Sequence, residues 1–107
     1  MPEYLTPLPA GMLTAVQINN VLLFAITISP ASVSANTTVE QTFAITSLPV
    51  AVTAAVVVVS KPTLQAGLGI VGSRISSAGN IGISFINNTG SPIVPTASEV
   101  YSVLVVS

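Results

Sequence analysis

Four consecutive valines, Val56–Val59, constrain the fold of this chain more than any other feature. Valine favours extended strands, and four in a row cannot lie on a half-solvated strand without exposing two of them. We therefore predict a strand that is covered on both faces. Pro62 has no amide hydrogen and should lie beyond the strand end, while Gly67 and Gly69 let the chain bend back. The stretch Val56–Ser76 thus predicts the central strand pair of a β module.

The composition predicts a surface that is covered by another molecule. The chain has 107 residues, enough for one domain; 50% are hydrophobic and only 5% are charged, against about 25% charged in an ordinary soluble domain. A monomer with so few charges would show water a large neutral surface. We therefore expect an oligomer or a subunit of a larger assembly.

The same composition argues against a membrane protein. The longest apolar runs, Val21–Ile28 and Val50–Val59, are shorter than the roughly 20 residues that cross a bilayer as a helix. The first residues contain no Lys or Arg and two prolines close to their leucines, which is not typical of a signal peptide.

The charged side chains leave little room for chemistry. Two cations cannot form the basic face that nucleic-acid binding needs. The chain has no His, Cys or Asp, so general acid-base catalysis, an activated serine and a metal site all lack their usual groups. We expect no enzyme activity, no cofactor, no metal and no small-molecule substrate.

The remaining sequence alternates with the period of strands. Alternation or short apolar runs appear near residues 21–28, 39–46, 70–76, 81–87 and 99–107, separated by turn residues. The alternation slips at Gly72, which predicts a bulge, and Asn36 suits a left-handed turn. A hairpin is expected around residues 77–80, and the loop over 87–97 is long enough to cross between sheets. This pattern predicts an all-β fold: a single antiparallel β-sandwich of six or seven strands, immunoglobulin-like or jelly-roll-like, spanning residues 21–107.

Residues 1–20 differ from the rest and predict an extended N-terminal arm. Three prolines and a glycine break regular structure, yet the segment is too apolar for a solvated linker. It can fold over the edge of its own sandwich, or it can reach a neighbouring subunit. On the second interpretation its large aliphatic side chains are assembly contacts: Leu5, Leu8, Met12, Leu13, Val16 and Ile18.

Arg74 is the other candidate contact. The simpler interpretation pairs it with Glu40 or Glu99 on an outer face, while Lys61 keeps a strand end soluble. The alternative makes Arg74 an interface residue, because a guanidinium on a neutral surface can bind carboxylates or carbonyls of a partner.

Three segments together resemble small structural proteins of tailed bacteriophages: ISPASVSANTTVEQTFAIT from Ile28, KPTLQAGLGI from Lys61 with the arginine that follows it, and PTASEVYSV from Pro95. The resemblance implies a virion protein that is made in the bacterial cytoplasm. The first expectation is a capsid decoration or cement protein on the outer surface of the head, which forms homo-dimers or homo-trimers and bridges major capsid subunits. The alternatives are a tail fibre, spike or baseplate module that attaches to a host surface, and an interaction domain outside any virus. The absence of Trp and the presence of only two Tyr residues favour the first.

Overall fold

Two antiparallel three-stranded sheets pack against each other in the computed structural model, which describes residues 21–45 and 56–106. The predicted all-β sandwich is therefore confirmed. Six strands build it: β1 (Val21–Ile28), β2 (Thr37–Ala44), β3 (Val56–Ser60), β4 (Leu68–Ser77), β5 (Asn80–Asn87) and β6 (Glu99–Val106). The predicted arm, residues 1–20, lies outside the described residues.

The sheets have the orders β1-β6-β3 and β2-β5-β4, so β6 and β5 are the central strands of the described part. Their inward side chains alternate with outward ones, as the sequence predicts, and form the centre of the core. The fully buried apolar residues of these two strands are Ile81, Ile83, Phe85, Tyr101, Val103 and Val105. Leu22, Phe24, Ile26 and Ile28 of β1 pack against this cluster from one face of their strand, as predicted.

The prediction that Val56–Ser76 forms a central strand pair is wrong. Among the described residues β3 pairs only with β6, and β4 pairs only with β5, so the two strands lie in different sheets. Val56 and Val58 are 64% and 54% exposed, whereas Val57 and Val59 pack against the core. The valine run is thus covered on one face by its own protein, and its other face points outward.

Local turn chemistry is confirmed where the sequence predicted it. β4 and β5 form the expected hairpin around Gly79, whose φ is 77°. The register shifts between Ile70 and Gly72, which is the predicted bulge. Asn36 has a φ of 51°, in the left-handed region. The loop after β5 crosses to the other sheet, as expected from its length.

Three of the four connections that cross between the sheets, residues 29–36, 61–67 and 88–98, lie at one end of the sandwich, which we call the loop end. Val33 and Ile93 exchange backbone hydrogen bonds of 2.8 and 3.0 Å there. The side chain of buried Asn87 donates to the carbonyl groups of Val33 (3.0 Å) and Ser91 (2.8 Å) and accepts from Thr89. Val33 is fully buried, although the sequence around it predicts only a small, polar connection.

The opposite end, which we call the terminal end, is where β1 and β3 begin and where β2 and β6 end. Residues 1–20, 46–55 and 107 join the described chain at this end. The loop end thus has three crossing connections, whereas the terminal end has the β4–β5 hairpin turn and the points where the residues outside the described ranges join.

Candidate assembly surface

The connections after β3 and before β6 meet at the loop end. Lys61 follows β3 and Glu99 begins β6, and the Lys61 Nζ lies 2.9 Å from Glu99 Oε1. Both side chains are less than one tenth exposed. The Thr63 hydroxyl donates to the other Glu99 oxygen, and Lys61 also donates to the carbonyl oxygen of Thr63 at 2.7 Å. A lysine predicted only to solubilise a strand end is thus half of a buried ion pair.

This cluster shifts the pKa values of two groups in opposite directions. The hydrogen bond from Thr63 and the charge of Lys61 hold the pKa of Glu99 below its ordinary value of 4.5, although burial acts the other way. Burial, with a contribution from the Glu99 charge, raises the pKa of Tyr101 to about 12. Glu99 is therefore charged and Tyr101 neutral at physiological pH.

Gln65 connects the loop that follows β3 to the loop that precedes β6 by two hydrogen bonds. Its Nε2 donates to the Val94 carbonyl at 3.0 Å, and its Oε1 accepts from the Thr96 amide at 2.8 Å. With a φ of 82°, Gly67 then turns the chain into β4, in a space where a side chain would collide with Thr89. Lys61, Gln65 and Glu99 thus have an architectural role at the loop end.

Arg74 pairs with Glu40 across the outer face of the β2-β5-β4 sheet, so the first interpretation of Arg74 is confirmed. Nε and Nη2 donate to the two carboxylate oxygens at 2.7 and 2.8 Å. The pair lies over Gly82, where an added Cβ would come within 2.5 Å of the Glu40 carboxylate. The hydrogen bonds from Arg74 lower the pKa of Glu40, and Glu40 raises the pKa of Arg74. A contact between Arg74 and a partner stays a prediction.

The two outer faces of the sandwich differ in chemistry. The outer face of β2-β5-β4 carries the ion pair among small and polar side chains such as Thr38, Thr42 and Ser84. The outer face of β1-β6-β3 carries no charged side chain among the described residues. Instead it shows cross-strand rows of aliphatic residues, which we call the aliphatic face: Val21, Val106 and Val56 in the first row, Leu23, Leu104 and Val58 in the second, and Val100 farther along.

Exposure on the aliphatic face is high. Leu23 is 74% exposed, and Val21, Val56, Val58 and Val100 are each more than half exposed. The first row lies at the terminal end, directly beside the points where residues 1–20 join β1 and residues 46–55 join β3. Exposed apolar patches of this kind in soluble proteins mark sites of association.

The sequence interpretation did not locate this surface. The predicted contacts Leu5, Leu8, Met12, Leu13, Val16 and Ile18 lie outside the described residues, and Arg74 lies on the opposite sheet. The aliphatic face was missed, although the signal was present: the strands at 56–59 and 99–106 have apolar residues at both parities. This pattern predicts cover on both faces, and the second cover can come from another molecule.

An open groove of about 420 Å³ runs beside β3 and β4 at the loop end. Its walls include Val59, Leu68 and Ile70, and its charged group, Lys61, is already held by Glu99. Residues 21–45 and 56–106 contain no group of three or more side chains that could hold a metal ion. Within these two ranges there is also no helix long and apolar enough to cross a membrane.

Comparisons with protein-family models, with curated proteins and with solved structures found no match to this chain.

Proposed function

We propose that this chain is a capsid decoration protein of a tailed bacteriophage. Copies of it associate with one another and bridge neighbouring major capsid subunits on the outer surface of the head. The observation that carries the proposal is the aliphatic face, an uncharged and exposed sheet surface on a protein with little charge elsewhere. The resemblance of three segments to phage structural proteins supports the same conclusion.

The mechanism is burial of apolar surface. A sheet three strands wide and four side-chain rows long presents roughly 400 Å², given strand spacings of about 4.8 Å and row spacings of about 6.8 Å. The first two rows are Val and Leu, whereas the third is Ala25, Ser102 and Ser60, so about half of this area is aliphatic. At about 25 cal/mol per Å², covering that half is worth on the order of 5 kcal/mol per copy before the entropic cost of association. Many copies acting together then resist outward pressure on the shell.

The electrostatics of the described residues fit this mechanism. Lys61 pairs with Glu99, and Arg74 pairs with Glu40, so each of the four charged side chains in residues 21–45 and 56–106 has a partner of opposite sign. A surface of this kind does not attract a charged substrate or polymer from a distance. It suits contacts that form by shape and apolar burial.

The aromatic residues favour decoration over attachment to a host surface. Sites that bind glycans or receptors commonly show exposed Trp or Tyr. In the part of the chain that the structure describes, Tyr101 and Phe85 are fully buried, and Phe24 and Phe43 are half-buried. We therefore propose a role in stabilising the particle.

The test is binding of the purified chain to undecorated phage heads. Heads are mixed with excess protein and sedimented, and bound copies are counted by gel densitometry against the major capsid protein. We expect saturation at hundreds of copies per head and a higher temperature of head disruption. Absence of binding, or saturation at a few dozen copies, would contradict the decoration role; the second result would indicate a tail or fibre component.

A further inference from the structure

We propose that the aliphatic face of one copy is covered by residues 1–20 of a second copy, so that neighbouring copies exchange their N-terminal arms. The inference rests on the proposed function in so far as that function requires copies to associate. It assigns the contact to two particular surfaces of the same chain.

The size of the face matches a peptide segment better than it matches a second sandwich. Two copies stacked face to face would bury only about 400 Å² each, half of the roughly 800 Å² per partner found in stable complexes. The face is about 27 Å long, which is the length of about eight residues in an extended chain. The arm has 20 residues, so it can cover the face and still leave a connection to β1.

The chemistry of the arm complements that of the face. Six large aliphatic side chains are spread between Leu5 and Ile18, and the only charged residue in the segment is Glu3. The face carries no charge among the described residues; its first two rows are Val and Leu, and the next two add only small uncharged residues and Val100. Burying an unpaired charge would be the main energetic cost of such a contact, and contact between the arm and the face buries none.

The point of attachment brings the arm to a neighbouring copy. The arm joins β1 at Val21, which is itself in the first row of the aliphatic face, at the terminal end. When two copies meet at their terminal ends, each arm reaches the face of the other. Each copy then buries its face and its arm, and the sum of about 800 Å² per copy reaches the size of a stable interface. An arm folded onto its own face would leave a monomer without this interface.

The first test alters the face in the full-length chain. The parent protein is expected to be a dimer or trimer by size-exclusion chromatography with light scattering. Leu23→Lys should be folded by circular dichroism, because Leu23 is 74% exposed, and it should raise the dissociation constant at least about 30-fold. Thr38→Lys adds the same charge to an exposed site on the opposite sheet and should leave the mass unchanged. A Leu23→Lys protein that associates like the parent would overturn the proposal.

The second test separates exchange from docking within one copy. The arm variant Leu8→Lys/Leu13→Lys should be monomeric, as should the face variant Leu23→Lys. Mixing the two should restore a heterodimer, detected by native mass spectrometry, because the intact arm of one meets the intact face of the other. No heterodimer, or a parent chain that is itself monomeric, rules out exchange and points to docking of the arm on its own face. An arm variant that stays oligomeric identifies another occupant of the face.

These measurements use the purified chain without phage heads, so their failure is distinguishable from failure of the proposed function. A monomer that saturates heads at hundreds of copies would retain the decoration role and reject arm exchange. An arm-exchanged oligomer that does not bind heads would support arm exchange and reject the decoration role.

Discussion

Tyr101 combines a fully buried ring with a hydroxyl group that is unpaired within the described chain. Its ring is fully buried at the centre of the core, yet its hydroxyl has no hydrogen-bond partner among the described residues. A buried polar group without a partner costs about 1 to 3 kcal/mol of folding free energy. The ring of Tyr101 therefore stabilises the fold, and its hydroxyl destabilises it.

We therefore predict that Tyr101→Phe stabilises the protein by about 1 kcal/mol, because the ring volume is kept and the unpaired hydroxyl is removed. The measurement is urea unfolding followed by circular dichroism, with the slope of the transition unchanged. Tyr101→Leu is the matched control and should destabilise, since it removes ring contacts as well. A Phe variant less stable than the parent would mean that the hydroxyl has a partner outside the described residues.

The titrating side chains predict that stability against unfolding is constant over a range of pH and falls at both acid and alkaline pH. The pKa values of Glu99 and Glu40 are lowered by folding, so their contribution is present above the ordinary value of 4.5 and is lost as pH falls through the folded values. The pKa of Tyr101 is raised from 10.0 to about 12, so its contribution is full below 10 and is lost as pH rises toward 12. The chain has no His or Cys to titrate in between.

The expected result is a urea midpoint that is nearly constant between about pH 5.5 and 9 and that falls on both sides. Glu99→Gln should flatten the acid limb more than Glu40→Gln, because the Glu99 pair is buried and the Glu40 pair is exposed to screening solvent. Tyr101→Phe should flatten the alkaline limb. Equal effects of the two glutamine variants would show that the buried pair has no special weight.

Strand β3 shows what a sequence pattern can and cannot specify. Consecutive valines indicate that both faces are covered, but they do not say by what. In the structure Val57 and Val59 face the core, while Val56 and Val58 face outward on the aliphatic face. The pattern is the same for a strand buried inside one molecule and for a strand at an interface between molecules.

Alternate valines of β3 should therefore respond differently to the same substitution. Val57→Asp places an unpaired carboxylate against the core and should cost several kcal/mol, enough to unfold the protein. Val58→Asp places it on the outer face and should cost less than about 1 kcal/mol in a monomer. Soluble expression and circular dichroism distinguish the two. Comparable damage at both positions would show that β3 is covered on both faces within one copy.

Much of the fold could be predicted because it is encoded locally. The hairpin around Gly79, the bulge near Gly72 and the inward stripe of β5 follow from turn chemistry and period-two alternation. Strand partners distant in sequence could not be predicted: Lys61 and Glu99, for example, meet only after the 37 residues between them have folded into two sheets. Val33 was missed for the same reason: its burial depends on Ile93, which lies in another loop.

The sandwich as a whole has two unlike faces and two unlike ends. One outer face carries the Glu40–Arg74 pair, and the other is aliphatic. Hydrogen bonds from Asn87 and Gln65 connect the loops at one end, and residues 1–20 and 107 join the strands at the other end. Under the proposed arm exchange, the aliphatic face and the terminal end form the contacts, so this asymmetry would orient the molecule in the assembly.

The pairing of charges leads to a prediction about salt. An interface held by exposed ion pairs weakens as salt rises, because screening lengths shrink from about 10 Å at 0.1 M to about 3 Å at 1 M. Here the four charged side chains of the described residues are paired within the chain. We expect the oligomer mass and the number of copies bound per head to stay constant from about 0.05 to 1 M NaCl, and binding to strengthen in sulfate, which favours apolar burial. Light scattering and head sedimentation measure both quantities. Arg74→Ala, which leaves Glu40 without its partner, is the control. If this variant assembles more weakly and its assembly depends on salt, Arg74 is a contact residue. Loss of the parent assembly in high salt would show that charges, and not the aliphatic face, hold the interface.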